Sequence, residues 1–244
     1  MANDNPGWGY TRIQGALMNL GFKVGRGTIR RILKGHLIEP APARGRRIAW
    51  STFLKAHWRG LAASDFFTVK VWSWKGLLTV YVLVVIDLAT RRVTICGLAT
   101  IPNDAWMVQM SRNLVDIESG ALRDKRHLIV DRDTKYSSNC RQTLEREGIE
   151  VIRLPPRSPN LNAYAERFVR SIKEECVSKL IPIGTAMLRR SLHEYVEHYD
   201  RERNHQGLDN QLLVQNRVPR SETTRVGRRA RLGGLLNFHE RAAA

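Results

Sequence analysis

The chain has 244 residues, 43% of them hydrophobic and 26% charged, with a formal net charge of +17 and a pI near 10.6. That length and apolar content exclude a disordered chain and allow one large or two small cored domains. The longest apolar run, GLLTVYVLVVIDL, is shorter than the about 20 residues a bilayer needs, and Cys96, Cys140 and Cys176 lack paired spacing, which excludes a disulfide framework or zinc knuckle.

The charge is unevenly spread, with net values of +9 over residues 1–60, +3 over 61–176 and +5 over 177–244. Basic arms around a balanced middle fit a polyanionic partner, nucleic acid above all. No charged-then-apolar signal opens the chain, so an intracellular, cytoplasmic setting is expected.

In chain order, YTRIQGALMNLGFKVGRGTIRRILKGHLIEP reads as two helices around a tight turn. Ile13, Leu17 and Leu20 form the apolar stripe of the first, and Gly21 ends it. The second is expected to start near Thr28, with Ile29, Ile32 and Leu33 inward and Arg30, Arg31 and Lys34 outward. A basic outer face on the second of two short helices follows helix-turn-helix logic. EPAPARGRRIAW then reads as an extended basic linker.

Strands follow in LAASDFFTVKV, LLTVYVLVVID and RRVTICGLAT, the first two joined by WSWKG with Gly76 in the turn. A helix in DAWMVQMSRNLVDI is expected to start at Asp104 as cap. HLIVD is a short strand, Ser137 to Glu147 a helix stopped by Gly148, and IEVIRLPP a further strand. The next helix lies in NAYAERFVRSIKEEC, and another in the TAMLRRSLHEYVEHYDRERNHQGLDNQ segment before its polar loop. The order βββαβαβα implies an α/β fold, a mixed sheet with helices on both sides. TTRVGRRARLGGLLNFHERAAA is expected to be a short basic appendage.

The acids carry the chemistry. Phosphodiester chemistry calls for hard divalent cations held by carboxylates that converge from strand ends and helix starts. Three acids stand at such places: Asp65 within the first strand, Asp131 at the end of HLIVD, and Glu166 in the first turn of its helix. Each alone reads as a salt bridge, a cap or a solvated edge; three together in a basic chain do not. On the Glu166 helix, Ala165, Phe168, Val169, Ile172 and Cys176 form a core face, while Glu166, Arg170 and Lys173 line up at i, i+4 and i+7. Asp133 competes with Asp131, and Asp87 reads as a structural carboxylate. Tyr164 reads as a packing residue, and His193, His198 and His205 lack metal-site spacing. No phosphate-cradling Gly loop is present, so a nucleotide cofactor is not expected.

Four stretches, SDFFTV, VDRDTKYSS, LPPRSPNLNAYAERFVRSIKEEC and HYDRERNHQGL, occur in this order, with 34 residues between Asp131 and Glu166. In these the chain resembles the integrase-type DDE transposases of bacterial insertion sequences, relatives of retroviral integrases. The resemblance implies a ribonuclease H-like mixed five-stranded sheet flanked by helices and preceded by a small helix-turn-helix segment. It implies a helix-turn-helix over 1–39, a basic linker over 40–57, a catalytic core over 58–207 and a basic tail over 208–244. Asp65, Asp131 and Glu166 are then the catalytic triad holding two Mg²⁺ ions, with Mn²⁺ able to substitute. The D-x4-Y pattern favours Asp131 over Asp133, with Tyr136 as the aromatic. Arg167, Arg170 and Lys173 are the expected DNA contacts of the core, beside Arg30, Arg31 and Lys34 of the second helix. The turn with Pro155, Pro156, Pro159 and Asn162 sets where the Glu166 helix begins.

The implied activity is metal-dependent DNA strand cleavage and strand transfer during transposition of a mobile element. A nuclease on the same fold without joining, and a non-catalytic DNA-binding remnant, are the alternatives. The implied partners are double-stranded DNA, as element ends and target, and further copies of the chain as a homo-oligomer on that DNA, with no membrane involved.

Overall fold

In the computed structural model residues 1–5, 8–38, 50–154, 162–214 and 226–241 are described, the backbone alone at 50–52 and 240–241. The chain divides into two compact units, Met1–Ala56 and His57–Ala244.

The first unit contains α1 (Tyr10–Asn19) and α2 (Arg26–Gly35). Gly21, at φ +85°, ends α1 in a Schellman arrangement, with Phe22 N–H donating to Leu17 O and Gly21 N–H to Met18 O. Ile13, Ile29 and Leu33 are buried against each other. Two expectations need correction. α2 starts at Arg26 rather than near Thr28, with Gly25 as an N-cap that offers no side chain. Ile32 and Leu20 are 51% and 63% exposed rather than inward, because two short helices in contact bury only a narrow i, i+4 stripe. Arg30, Arg31 and Lys34 are all exposed, on the outer face as expected. Most of the basic linker lies outside the described residues.

After α3 (Trp50–His57), the second unit is built on β1 (Leu61–Ser73), β2 (Gly76–Asp87), β3 (Val93–Ala99), β4 (His127–Val130) and β5 (Glu150–Arg153). They form one mixed sheet in the order β3-β2-β1-β4-β5. β1, β2 and β3 are antiparallel neighbours, whereas β4 runs parallel to β1, and β5 parallel to β4. The five-stranded α/β architecture expected from the sequence is therefore present. Val82–Ile86 in β2 is buried throughout, as a central strand covered on both faces requires.

Side chains alternate between the two faces of the sheet. Ala62, Leu83, Val85, Leu128 and Val130 point to one face, in a cluster with Met107 and Leu114 of α4 (Asp104–Leu114) and Cys140 and Leu144 of α5 (Ser138–Arg146). The N-cap of α4 is Asn103, whose side chain accepts from Trp106 N–H at 2.9 Å, and not Asp104. Asp104 instead accepts from Ser137 and Asn139, tying α4 to the start of α5. α6 (Ala163–Glu175) and α7 (Gly184–Arg201) also pack against the sheet. Ala165, Phe168, Val169, Ile172 and Cys176 are buried, as the helical periodicity predicts.

Residues 226–241 differ from the expected appendage. They form a hairpin, β6 (Val226–Arg231) and β7 (Leu236–Arg241), turned by Leu232, Gly233 and Gly234, all at positive φ. The Gly-Gly pair in RLGGLL is a turn signal that the basic composition obscured. The hairpin is fastened to the second unit through Arg231, which donates to both Glu202 oxygens at 2.7–3.0 Å, while Glu202 also holds His198 Nδ1 at 3.0 Å. No helix among the described residues is long and apolar enough to cross a membrane.

Candidate active site

β1 and β4 run in parallel with Ala62 opposite Leu128 and Ala63 opposite Ile129. Carried two residues past the paired stretch, the same offset brings Asp65 level with Asp131, the residue that follows β4. Both lie at the carboxyl end of the parallel pair, where an open α/β sheet presents its ligands. Both share the parity of Ala63 and Ile129, opposite to that of Ala62 and Leu128 in the α4–α5 cluster. Asp131 follows the last residue of β4, and its Oδ1 accepts from Asp133 N–H at 2.9 Å. That turn takes Asp133 out of strand geometry; its carboxylate pairs instead with Lys135 at 2.6 Å. Asp87 stands at the opposite end of the sheet, paired with Lys125 at 2.9 Å and accepting from Ala89 N–H.

Glu166 lies in the first turn of α6, exposed, with Arg170 and Lys173 exposed on the same stripe. Asn162, the N-cap residue of α6, donates from Nδ2 to Ser64 O at 3.2 Å, which fixes the start of the helix beside the strand of Asp65. The proline turn ahead of it, with Pro155, Pro156 and Pro159, lies outside the described residues.

Asp65 carries the electrostatic signature of the site. Burial pushes the Asp65 carboxyl up to about 6, and the negative charges of Asp131 and Glu166 push in the same direction. Phe66 N–H, donating to Oδ1 at 2.7 Å, and the Lys173 ammonium oppose that rise. So Asp65 feels Asp131, Glu166 and Lys173, although the four residues come from three separate elements of the chain. The hard oxygen donors and their crowded charge suit a divalent cation. The side chains are not gathered around one: among the described residues no three His, Cys, Asp or Glu groups stand closely enough to hold a metal ion. Backbone bonds hold Asp65 Oδ1 to the next residue of its own strand and Asp131 Oδ1 to the loop after β4.

Ser64 is the residue the sequence reading missed. Its carbonyl accepts from Asn162, and its hydroxyl donates to Val84 O at 3.0 Å while Tyr136 lies 2.8 Å away. It thus joins the strand of Asp65, the loop after Asp131 and the cap of the Glu166 helix. A hydroxyl next to Asp65 in an otherwise apolar half-strand was the available signal. Arg167, placed with Arg170 and Lys173 by the sequence, faces elsewhere: it lines a cavity with Tyr164 and Ser171.

Residues 147–211 match the family model described as "Integrase core domain". The match takes in Glu166, Arg170, Lys173 and HYDRERNHQGL, and neither Asp65 nor Asp131. Among solved structures, the chain is similar to a chain of the simian T-cell lymphotropic virus intasome solved with PP2A regulatory subunit B56 gamma. The identity is 14% and the TM-score 0.45, over 74% of this chain and 66% of that one. It is similar to the catalytic core domain of BIV integrase at 12% identity and TM-score 0.41, over 58% of this chain and 84% of that one. It is likewise similar to the HTLV-2 integrase catalytic core domain, solved in complex with magnesium, at 11% identity and TM-score 0.44, over 58% and 86%. No curated protein matches the chain in sequence. The matched residues 147–211 run from β5 through α6 and α7 to the HYDRERNHQGL turn, and they are similar to an integrase core domain.

Proposed function

We propose that the protein is a transposase of the integrase type, which cleaves DNA strands and joins them to target DNA during movement of a mobile element. The observation that carries this reading is the register of β1 against β4. Continued past Ala63 and Ile129, its offset is what supports Asp65 and Asp131 as partners at the carboxyl end of the parallel pair, and the charge of Glu166 adds to the rise in the Asp65 pKa. Asp65, Asp131 and Glu166 would hold the divalent cations, two Mg²⁺ or Mn²⁺. Such ions would supply Lewis-acid polarisation of a phosphodiester and lower the pKa of water.

The remaining work falls to the chain. Arg170 and Lys173 continue the Glu166 stripe along α6 and meet the phosphates of the DNA end, which keeps the scissile bond over the carboxylates. Arg30, Arg31 and Lys34 on α2 take up backbone phosphates of double-stranded DNA in a separate helix-turn-helix segment. Copies of the chain assemble on paired ends, and the protein acts where the DNA is, in the cytoplasm.

The test uses the chain, Mg²⁺ or Mn²⁺, and a duplex made from the sequences that bracket its reading frame, where inverted repeats are expected, with a plasmid as target. Joined product is expected from the wild type and from none of Asp65→Asn, Asp131→Asn and Glu166→Gln, all of which retain duplex binding. Joining by any of the three variants sinks the assignment. Hydrolysis without joining by the wild type selects a nuclease instead, and metal-independent binding alone selects a non-catalytic DNA-binding remnant.

A further inference from the structure

α6 has a second polar face, which the carboxylate reading leaves unused. At about 100° per residue, Tyr164, Arg167 and Ser171 stack on one side, roughly 125° round from the Glu166–Arg170–Lys173 stripe. This face lines a cavity of about 370 Å³ whose other walls include Arg91, Tyr199 and Arg203, together with the Asn204–Leu208 turn at the end of HYDRERNHQGL. No acid is among the described residues that line it.

The three guanidinium groups there are not equivalent. Arg203 is spent on Glu175, with three hydrogen bonds of 2.7–3.2 Å, and serves as wall. Neither Arg91 nor Arg167 takes part in any ion pair among the described residues. Arg91 lies over the Tyr164 ring, 4.0 Å from its centroid, and 5.5 Å from that of Trp58. A guanidinium placed over a ring keeps its in-plane N–H donors available. Arg91 also holds a left-handed backbone at φ +62°, a conformation costly for a residue with a Cβ. His205 adds no charge: burial pushes its pKa down, and Nε2 donates to Tyr199 O at 2.8 Å. Gly207 lies against Arg167, since a Cβ there would come within 3.9 Å of Nη1.

Two cations without an ion pair, beside amide and hydroxyl groups in one recess, suit an anion whose remainder offers hydrogen-bonding edges. We propose that this cavity binds one nucleotide, Arg91 and Arg167 holding its phosphate and the amides of Asn204 and Gln206 meeting the edge of its base. The nucleotide is either free or one unit of an unpaired DNA strand. The volume lies at the small end of ligand cavities, about 300–1,000 Å³, which admits one nucleotide and no duplex. The site gives HYDRERNHQGL a task, goes beyond the strand chemistry proposed above, and holds whether or not the carboxylates cut DNA.

The test titrates the full chain with a fluorescein-labelled ten-residue oligothymidylate and, separately, with dTMP and inorganic phosphate as competitors. EDTA is present throughout, so that no cation-dependent cutting contributes. Arg167→Gln and Arg91→Asn, the latter chosen because Asn tolerates positive φ, are each expected to weaken ligand binding about tenfold. Where the oligonucleotide is the ligand, each also flattens the salt slope by about 0.7. Arg112→Gln, which removes an exposed charge elsewhere, is expected to change affinity less than about twofold. Retained thermal melting shows that the variants fold. Loss of oligonucleotide binding supports the strand as source, and loss of dTMP binding alone supports the free nucleotide. Unchanged binding of both in both arginine variants overturns the site, and inorganic phosphate competing as well as dTMP overturns the assignment to a nucleotide. Failure of joining with this binding intact counts against the carboxylate reading alone.

Discussion

Ser64 and Tyr136, 72 residues apart, share a buried hydrogen bond of 2.8 Å that ties the strand of Asp65 to the loop following Asp131. Ser64 has one hydroxyl proton and gives it to Val84 O, so Tyr136 is the donor. Tyr136→Phe removes that donor and leaves the neighbouring backbone bonds in place. A loss of about 1 kcal/mol in urea unfolding is expected, with strand cleavage falling further than DNA binding. Unchanged cleavage would show that the two acids do not depend on this tie.

Removing one partner of a part-buried ion pair exposes the other to desolvation without compensation. Glu175 accepts from Arg203 and, at 3.0 Å, from Tyr195 Oη, joining the end of α6 to α7 and the turn after it. Glu175→Ala is expected to cost about 2–3 kcal/mol. Chemical denaturation measures it, and Arg203→Met made together with Glu175→Leu should recover much of the loss.

Asp200 is buried, its Oδ1 has no hydrogen-bond partner among the described residues, and Arg92 reaches Oδ2 only at 3.6 Å. Burial therefore pushes its pKa up to about 6, against the Arg92 charge, from an ordinary 3.8. The folded state then holds a proton that the unfolded state has released. The contribution of Asp200 to stability is complete below about pH 4 and is lost as pH rises through 6. Asp200→Asn cannot lose it. The stability of the variant relative to wild type should rise by roughly 2–3 kcal/mol between pH 4 and pH 7.5. A pH-independent difference in melting would refute this account.

Gly97 lets β3 approach α4. A Cβ there would lie 2.5 Å from Met110 Sδ and 2.7 Å from Trp106 Cζ2. Gly97→Ala is expected to destabilise by about 1–3 kcal/mol through overpacking, measured by thermal melting. Trp106→Leu in the same chain should relieve part of the cost.

Crowded carboxylates respond to cations. Mg²⁺ is expected to raise the melting temperature of the wild type by binding the folded state alone. Asp65→Asn should melt higher than wild type in EDTA, since it removes the buried charge facing Asp131 and Glu166. It should also lose at least about half of the Mg²⁺-induced rise.

The strands and the core face of α6 were legible because both rest on periodicity: Val82–Ile86 is uniformly apolar, and Ala165, Phe168, Val169 and Ile172 recur at helical spacing. The five-stranded sheet followed from the order of those elements. Ile32 and Leu20 were misplaced because periodicity names a face without saying how wide a stripe the partner covers. The hairpin at 226–241 was hidden because its strands are rich in Arg, and its attachment depends on Glu202, far away in sequence. The three acids could be singled out, but that the strand of Asp65 lies beside the one leading to Asp131 is a matter of strand pairing, which no local pattern contains. Helical spacing already separates Arg167 from Arg170; what the sequence does not contain is the cavity that Arg167 meets.

Because α6 is keyed to the sheet by Ala165, Phe168, Val169 and Ile172, its length in residues constrains the protein more tightly than its surface composition does. One residue inserted between Glu166 and Arg170 would turn everything beyond by about 100°. Arg170 and Lys173 would leave the acid's side, Ser171 would leave the recess, and apolar residues would be driven into solvent. Deletions and insertions in this segment should therefore be far more damaging than point substitutions at its exposed positions.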